Sequence, residues 1–248
     1  MRETIELHSG DGAFEACLVR PASGTPVKGG LVVIHEIWGL ADHIKDVSER
    51  FAAHGYVVLA PDLLSRVGIT AHLGAELQAI MHSPDDKVRS DGQPMLREAM
   101  APSRSPEFAA WAVSALISCV DHLAAQEGVD GHVAVTGFCF GGSFSFALSA
   151  ADPRVRAVVP FYGTPPPPTD FSRISAPILA FYGDQDERLM SSLPDVVERM
   201  ATAGVDFTPI VYKGAGHAFF NDANAHAYEP DAAADSWQRA LEFIEANI

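Results

Sequence analysis

The stretch Thr136-Gly137-Phe138-Cys139-Phe140-Gly141-Gly142 lies near the middle of the 248-residue chain and organises the rest of it. It follows the β-branched run 132–136 and precedes a run of small residues, 143–150, that is typical of a helix. A reactive side chain on a sharp turn from strand to helix needs small residues on both sides, because that turn is strained. The pattern predicts a nucleophile at Cys139. The alternative interpretation is a buried, unreactive cysteine in a glycine-rich core turn, which would have the same sequence.

Composition argues against several classes of partner. The formal net charge is −15, and an acidic chain repels the phosphates of nucleic acids and anionic lipids. We find no run of about 18 apolar residues that would predict a transmembrane helix. Residues 1–12 are polar and lack the apolar segment of a signal peptide. We therefore expect a cytoplasmic protein that binds neither nucleic acid nor membranes.

The three cysteines are Cys17, Cys119 and Cys139. Their odd number and wide spacing match neither a disulfide framework nor a metal site. Cys119 lies on the apolar stripe of a predicted helix, so we expect it in the core. These features favour a reducing compartment.

Strands and helices alternate along most of the chain. The predicted strands are 4–7, 13–20, 30–35, 56–60, 132–136, 155–162, 178–182 and 207–212. The predicted helices are 43–54, 108–123 with a start signal at Ser105-Pro106-Glu107, 143–150, 193–203 and 231–248. This order predicts one α/β domain over 1–248, with a mostly parallel, doubly wound sheet and an N-terminal antiparallel hairpin. Residues 63–104 have weak periodicity and predict a variable loop or small cap over a site.

Four polar residues follow four of these strands, namely Glu36, Cys139, Asp186 and His217. In open parallel sheets, ligands bind beyond the carboxyl ends of the strands, so we expect these side chains at one edge. The order of nucleophile, acid and histidine is the one that hydrolases with a nucleophile elbow use. A histidine at the position of His217 can take the thiol proton, whereas the alternative is a loop histidine bound to backbone.

The acid has two main candidates, Asp184 and Asp186. The Gly-x-x-Asp spacing from Gly183 favours Asp186, since the loop must reach back to the histidine, and Asp184 suits a turn. The weaker options are Asp152, Asp170 and Asp222.

Five motifs together resemble the dienelactone hydrolase family of α/β-hydrolases, and the match spans nearly the whole chain. They are HEIWGL (35–40), YVVLAPD (56–62), GFCFGG (137–142), GDQD (183–186) and GAGHAF (214–219). The resemblance implies a catalytic triad of Cys139, His217 and Asp186. It also implies an oxyanion hole formed by the backbone N–H groups of Ile37 and Phe140. Glu36 is implied to contact the cysteine in the resting enzyme and to help form the thiolate.

The resemblance also implies two arginines that bind a substrate carboxylate. Asn221 stands at the position of one of them, four residues after the implied catalytic histidine. The other lies in the variable segment, where Arg66, Arg89, Arg97 and Arg104 are available. We predict substrate contacts at Trp38, Arg66, Phe138 and Asn221.

These observations predict a cysteine-dependent hydrolase of a lactone or carboxylic ester that forms a thioester on Cys139. Such chemistry requires neither a metal nor an organic cofactor, and we expect a small-molecule substrate and a monomer. Two alternatives remain open: a non-catalytic binding protein with the same fold, and a thiol acyltransferase that uses the same site.

Overall fold

The computed structural model describes residues 1–10 and 12–248. Within these residues the strands are β1 (Arg2–Ser9), β2 (Gly12–Val19), β3 (Gly29–Ile34), β4 (Tyr56–Pro61), β5 (Val133–Phe138), β6 (Val155–Phe161), β7 (Ile178–Gly183) and β8 (Phe207–Tyr212). The α-helices are α1 (Asp42–Ala53), α2 (Ala71–Met81), α3 (Asp86–Met100), α4 (Pro106–Ala124), α5 (Phe140–Ala151), α6 (Glu187–Ala203) and α7 (Pro230–Asn247).

The eight strands form one sheet in the order β1-β2-β4-β3-β5-β6-β7-β8. β1 pairs with β2, and β2 with β4, in antiparallel fashion, whereas the remaining neighbours are parallel. The α/β fold with its N-terminal hairpin is thereby confirmed. Residue 11, in the predicted hairpin turn, lies outside the described residues.

The central strands are buried on both faces, because helices cover the sheet on each side. Every residue of β3, β4 and β5 is buried. α4 packs against α5, and α5 packs against β5 and β6. α1 and α7 meet through the rings of Phe51 and Trp237, whose centroids are 4.4 Å apart. Unbroken apolar runs such as 30–34 reflect this two-sided burial.

α6 begins at Glu187, six residues before the predicted start at Leu193. The prediction placed Pro194 in the first turn, where proline is best tolerated. In the structure Asp186 is the N-cap, and its side chain accepts a hydrogen bond from the Leu189 N–H. Pro194 therefore lies inside the helix, and the cap residue decides the boundary.

The segment 63–104 contains a pair of packed helices, α2 and α3, flanked by 3₁₀ turns at Leu64–Val67 and Pro102–Arg104. Its helical periodicity is weak because Gly74, Gly92 and Pro94 interrupt it. Gly74 is required where α2 crosses the loop after β3, since a Cβ there would lie 2.1 Å from the Trp38 carbonyl oxygen.

Among the described helices, α4 alone is long and apolar enough to cross a membrane by length and composition. Its apolar stripe, which includes Trp111, Leu116 and Cys119, is buried, and the helix packs against β1, β3 and β4. The place of α4 in the core therefore accounts for its apolar composition.

Candidate active site

Cys139 lies on a strained turn between β5 and α5. Its φ of 55° and ψ of −107° are uncommon for a residue with a side chain. The glycines around it permit the turn: a Cβ on Gly137 would lie 2.2 Å from the Gly141 carbonyl oxygen, and one on Gly141 2.1 Å from that of Ile34. The Cys139 N–H donates to the Phe161 carbonyl at 3.0 Å. These contacts hold the half-buried thiol at the N-terminus of α5.

His217 and Asp186 are directly hydrogen-bonded. The distance from His217 Nδ1 to Asp186 Oδ2 is 2.5 Å, while the other carboxylate oxygen of Asp186 caps α6. Burial alone raises the pKa of Asp186, but the hydrogen bond and charge of His217 outweigh it and hold this pKa below its ordinary value. Asp186 is therefore ionised and fixes the orientation of the imidazole.

The other candidate acids are occupied elsewhere. Asp184 accepts hydrogen bonds from the Gly214 N–H and the Gln185 side chain. Asp152 pairs with Arg154, Asp170 caps the turn at Ser172, and Asp222 pairs with Arg50 and His43. The structure thus brings Asp186, rather than Asp184 or the weaker options, to His217.

The pKa of His217 is raised to about 10. Burial lowers it, but the charge of Cys139, the hydrogen bond to Asp186 and the interaction with the Cys139 sulfur all raise it. His217 therefore lies between the thiol and the carboxylate, where it can accept a proton from one while the other stabilises the resulting charge.

The carboxyl group of Glu36 is buried, with 3% of the residue exposed. Oε1 accepts a hydrogen bond from the Tyr162 hydroxyl at 3.2 Å, and Oε2 accepts one from Asn221 Nδ2 at 2.6 Å. Burial raises the pKa of Glu36 to about 7, although Asn221, His217 and Tyr162 each lower it. In the described part of the chain, Glu36 is bound to these neutral donors and forms no hydrogen bond with Cys139, the contact that the resemblance implied for the resting enzyme.

The two residues that the resemblance implied for an oxyanion hole, Ile37 and Phe140, lie near Cys139. Ile37 lies in the turn after β3, and Phe140 is the first residue of α5, whose N–H has no partner within its own helix. Across residues 1–10 and 12–248, neither N–H has a hydrogen-bond acceptor in the chain. Unpaired N–H groups next to a nucleophile can hold the negative oxygen of a tetrahedral intermediate.

His35 connects the turn after β3 to the turn at Cys139. Its carbonyl accepts from the Gly141 N–H at 3.1 Å, and its ring stacks on Phe140 with the two planes 6° apart. Nε2 accepts from the Leu63 N–H, so the proton is on Nδ1, which contacts the Glu36 carbonyl at 2.6 Å. Burial lowers the pKa of His35, so the ring is neutral and structural.

The site opens into a cavity of about 240 Å³. The residues that line it include Glu36, Trp38, Cys139 and His217. The model of the dienelactone hydrolase family matches residues 14–248.

This chain belongs to the dienelactone hydrolase family.

Relatives along the whole chain agree with this assignment. A protein of Saccharolobus solfataricus named "Putative carboxymethylenebutenolidase" is 31% identical over 260 residues, covering 96% of each chain. An Escherichia coli K12 protein of the same name is 31% identical, covering 87% of this chain and 76% of that one. The crystal structure titled "Putative Dienelactone Hydrolase from Klebsiella pneumoniae" superimposes with a TM-score of 0.82 at 26% identity, covering 98% of each chain. This member of the dienelactone hydrolase family is therefore a hydrolase with the α/β-hydrolase fold and a small-molecule substrate.

Of the four predicted substrate contacts, Trp38 lines the cavity, whereas Phe138, Arg66 and Asn221 do not. Phe138 is fully buried and stacks between Phe161 and Phe220, because the side chain before the nucleophile points into the sheet's core. Arg66 lies over the ring of Trp111, 5.0 Å from its centroid. Asn221 is fully buried and holds Glu36 instead of facing substrate.

The remaining arginine candidates also lie away from this cavity. Arg89 donates to the Ser83 carbonyl and pairs with Asp86, and Arg104 lines a different groove. Arg97 does not line the cavity either, and none of its described lining residues is an arginine or lysine.

The sequence did not predict the hydrogen bond from Tyr162 to Glu36, nor three of the residues that line the cavity. Tyr162 directly follows β6, so the rule of polar residues after parallel strands also applies to it. Met81, His82 and Leu96 reach the cavity from α2, α3 and the turn between them. The ring of His82 meets that of Trp38 edge-on at 5.5 Å. No local signal marks these three, since their role depends on where the helix pair packs.

Proposed function

We propose that this chain hydrolyses a small lactone or carboxylic ester through a thioester on Cys139. The observation that carries the proposal is the hydrogen bond between His217 and Asp186 beside the strained Cys139. A base that is oriented by a carboxylate and lies next to a half-buried thiol at a cavity is the arrangement required for nucleophilic acyl transfer.

In the first half-reaction the Cys139 sulfur attacks the carbonyl carbon, and His217 takes the thiol proton. The carbonyl electron pair moves to oxygen, and the N–H groups of Ile37 and Phe140 hold the resulting oxyanion. Each such donor contributes about 3 kcal/mol to lowering the barrier. Asp186 stabilises the imidazolium of His217.

Collapse of the intermediate breaks the bond from carbon to the alkoxy oxygen. That oxygen receives the proton from His217, and in a lactone it stays attached as a hydroxyl of the acyl chain. The acyl group is now a thioester on Cys139. His217 then takes a proton from water, whose oxygen attacks the thioester, and the carboxylic acid leaves as the thiol is restored.

Glu36 supplies a second proton acceptor in the same cavity. A thiol is mostly protonated at neutral pH, since its ordinary pKa is about 8.5. With a pKa of about 7, Glu36 exists in both protonation states near neutrality. A substrate that displaces it from Asn221 or Tyr162 would free a carboxylate oxygen that can accept the thiol proton in place of His217 and return it to the alkoxy oxygen.

The cavity favours a substrate without a carboxylate. Its volume of about 240 Å³ admits a small molecule, and its described lining includes Glu36 but no arginine or lysine. An anionic substrate would face this carboxylate with neither an arginine nor a lysine to compensate it, because the positive charge of His217 is already paired with Asp186. We infer that neutral lactones and short esters are preferred over lactones that carry a carboxylate.

The test is a panel of neutral lactones, carboxylate-bearing dienelactones and short aryl esters, assayed with the wild type, Cys139→Ala and the matched control Cys17→Ala. We expect turnover of the neutral substrates by the wild type and Cys17→Ala, none by Cys139→Ala, and an acyl adduct on Cys139 in rapidly quenched samples by mass spectrometry. Full turnover by Cys139→Ala would exclude the thioester route. Preference for the carboxylate-bearing lactones would overturn the substrate assignment alone.

A further inference from the structure

A second cavity lies apart from the candidate active site. Its volume is about 600 Å³, and it is bounded by α4, α5 and the proline-rich loop after β6. It shares no lining residue with the cavity that contains Cys139. Volumes of this size are typical of pockets that hold small organic ligands, about 300–1,000 Å³.

The walls of this groove are apolar because small side chains face each other across it. α4 contributes Ala109 and Val113, and α5 contributes Ala147 and Ala150. Prolines 166–168 close the third side without offering an N–H group. The groove therefore favours a hydrocarbon chain or ring over a polar molecule.

Three charged residues line the groove: Arg104, Arg173 and Asp170. Asp170 already accepts hydrogen bonds from the Ser172 N–H and hydroxyl, at 3.1 and 2.6 Å. Across residues 1–10 and 12–248, neither arginine forms an ion pair or a side-chain hydrogen bond, whereas seven other arginines are paired. The groove thus has one net positive charge in a protein whose net charge is −15.

We propose that this groove binds an amphipathic monocarboxylate, with its hydrocarbon part between α4 and α5 and its carboxylate at Arg104 and Arg173. The apolar walls remove the hydrocarbon from water. Arginine guanidinium groups present paired N–H donors that match a carboxylate. One net positive charge complements one carboxylate, and the site is separate from the proposed chemistry at Cys139.

The test is isothermal titration calorimetry with octanoate, using the full chain. Cys139→Ala serves as the parent protein, so that turnover and covalent reaction are excluded. Arg104→Gln/Arg173→Gln removes the two groove charges. Arg156→Gln/Lys213→Gln is the matched control, because it removes two exposed charges elsewhere and changes the net charge equally. Ala147→Phe fills the groove, and circular dichroism verifies the fold of each variant.

We expect saturable binding of one octanoate, weakened at least about tenfold by the groove double variant and by less than about twofold in the control. 1-Octanol, which lacks the charge, should bind at least about tenfold more weakly than octanoate. Equal losses in both double variants would show that only net charge matters and would overturn the proposal. Unchanged affinity for octanoate in a folded Ala147→Phe variant would also overturn the proposal. The same holds if no saturable binding is seen up to about 10 mM octanoate, because a site weaker than this contributes less than about 3 kcal/mol.

Discussion

Asn221 Nδ2 donates a 2.6 Å hydrogen bond to Glu36 Oε2, and both residues are buried. The partners are 185 residues apart in sequence. The Tyr162 hydroxyl occupies the other oxygen, so that two neutral donors hold the carboxyl group. A neutral amide stabilises the carboxylate less than an arginine would, which leaves the pKa of Glu36 at about 7. Glu36 can therefore exchange a proton near neutral pH.

Replacing Asn221 with alanine should move the acidic limb of the kcat/KM profile to higher pH. The hydrogen bond from Asn221 lowers the pKa of Glu36, so its loss raises that pKa, and the active carboxylate forms only at higher pH. We expect a shift of about one pH unit. Tyr162→Phe should shift the limb in the same direction, whereas Asn224→Ala, at the same cavity but not bound to Glu36, should leave it in place. If the acidic limb of the kcat/KM profile did not move in Asn221→Ala, the ionisation of Glu36 would not be the event that controls activity.

Glu36→Gln should stabilise the fold at alkaline pH. The pKa of Glu36 rises from its ordinary 4.5 to about 7 on folding, so the folded state binds the extra proton between these values. Wild-type stability attributable to this group is therefore present below pH 4.5 and is lost as pH rises through 7. Glutamine does not ionise, and the variant should exceed the wild type by on the order of 3 kcal/mol at pH 8 but not at pH 4. Urea unfolding across this range measures the difference, and exposed Glu242→Gln serves as control. If the difference in unfolding free energy between Glu36→Gln and the wild type did not change with pH, the raised pKa of Glu36 would be contradicted.

Asp186→Asn should reduce kcat by about 10²–10⁴-fold, since the amide removes the charge that stabilises the imidazolium of His217. Asparagine is as good an N-cap as aspartate, so α6 should keep its stability. Asp184→Asn is the matched control, two residues earlier and only partly exposed, and should retain near wild-type turnover because its carboxylate binds Gly214 and Gln185 instead of His217. Steady-state kinetics and thermal unfolding of both variants separate catalysis from folding. If Asp186→Asn remained fully active, another group would have to orient His217.

Iodoacetamide should alkylate Cys139 much faster than Cys17 or Cys119. Cys139 is half-buried, at a helix N-terminus and beside His217, whereas the other two thiols are buried and burial raises the pKa of each. Peptide mass spectrometry after timed quenching gives the three rates. His217→Ala should slow the labelling of Cys139 and leave the others unchanged. Equal rates at all three cysteines would argue for an inert thiol.

Gly141→Ala should destabilise the fold by about 3 kcal/mol, because the new methyl group would lie 2.1 Å from the Ile34 carbonyl oxygen. The methyl group would be fixed to the backbone of α5 and would meet backbone atoms of Ile34 and His35, so no rotamer change can relieve the clash. Gly216→Ala is the control, since no atom lies within 4 Å of its Cβ position. Urea unfolding of both variants tests the difference. A shift of less than about 0.5 kcal/mol in Gly141→Ala would contradict the close packing at this turn.

Much of the architecture could be predicted because its signals are local. The apolar run 30–34 predicted a strand that is buried on both faces, as β3 is. The tripeptide Ser105-Pro106-Glu107 predicted the start of α4, which begins at Pro106 with Ser105 as its N-cap. The predicted start of α6 at Leu193 was six residues late, since Asp186 caps the helix and Pro194 lies inside it. The helices of segment 63–104 were not predicted because glycines and a proline obscure their period.

The sequence by itself determined the sheet, the strained turn at Cys139 and the order of nucleophile, acid and histidine, since these depend on side-chain period and on where only glycine fits. Tertiary structure decided which groups meet. Strand order placed Tyr162 and Asn221 on Glu36, selected Asp186 over Asp184 for His217, and kept Arg66 and Phe138 out of the cavity. The physical reason is that such contacts join residues far apart in the chain. Their distances are set by strand register and helix packing, which no short stretch of sequence encodes.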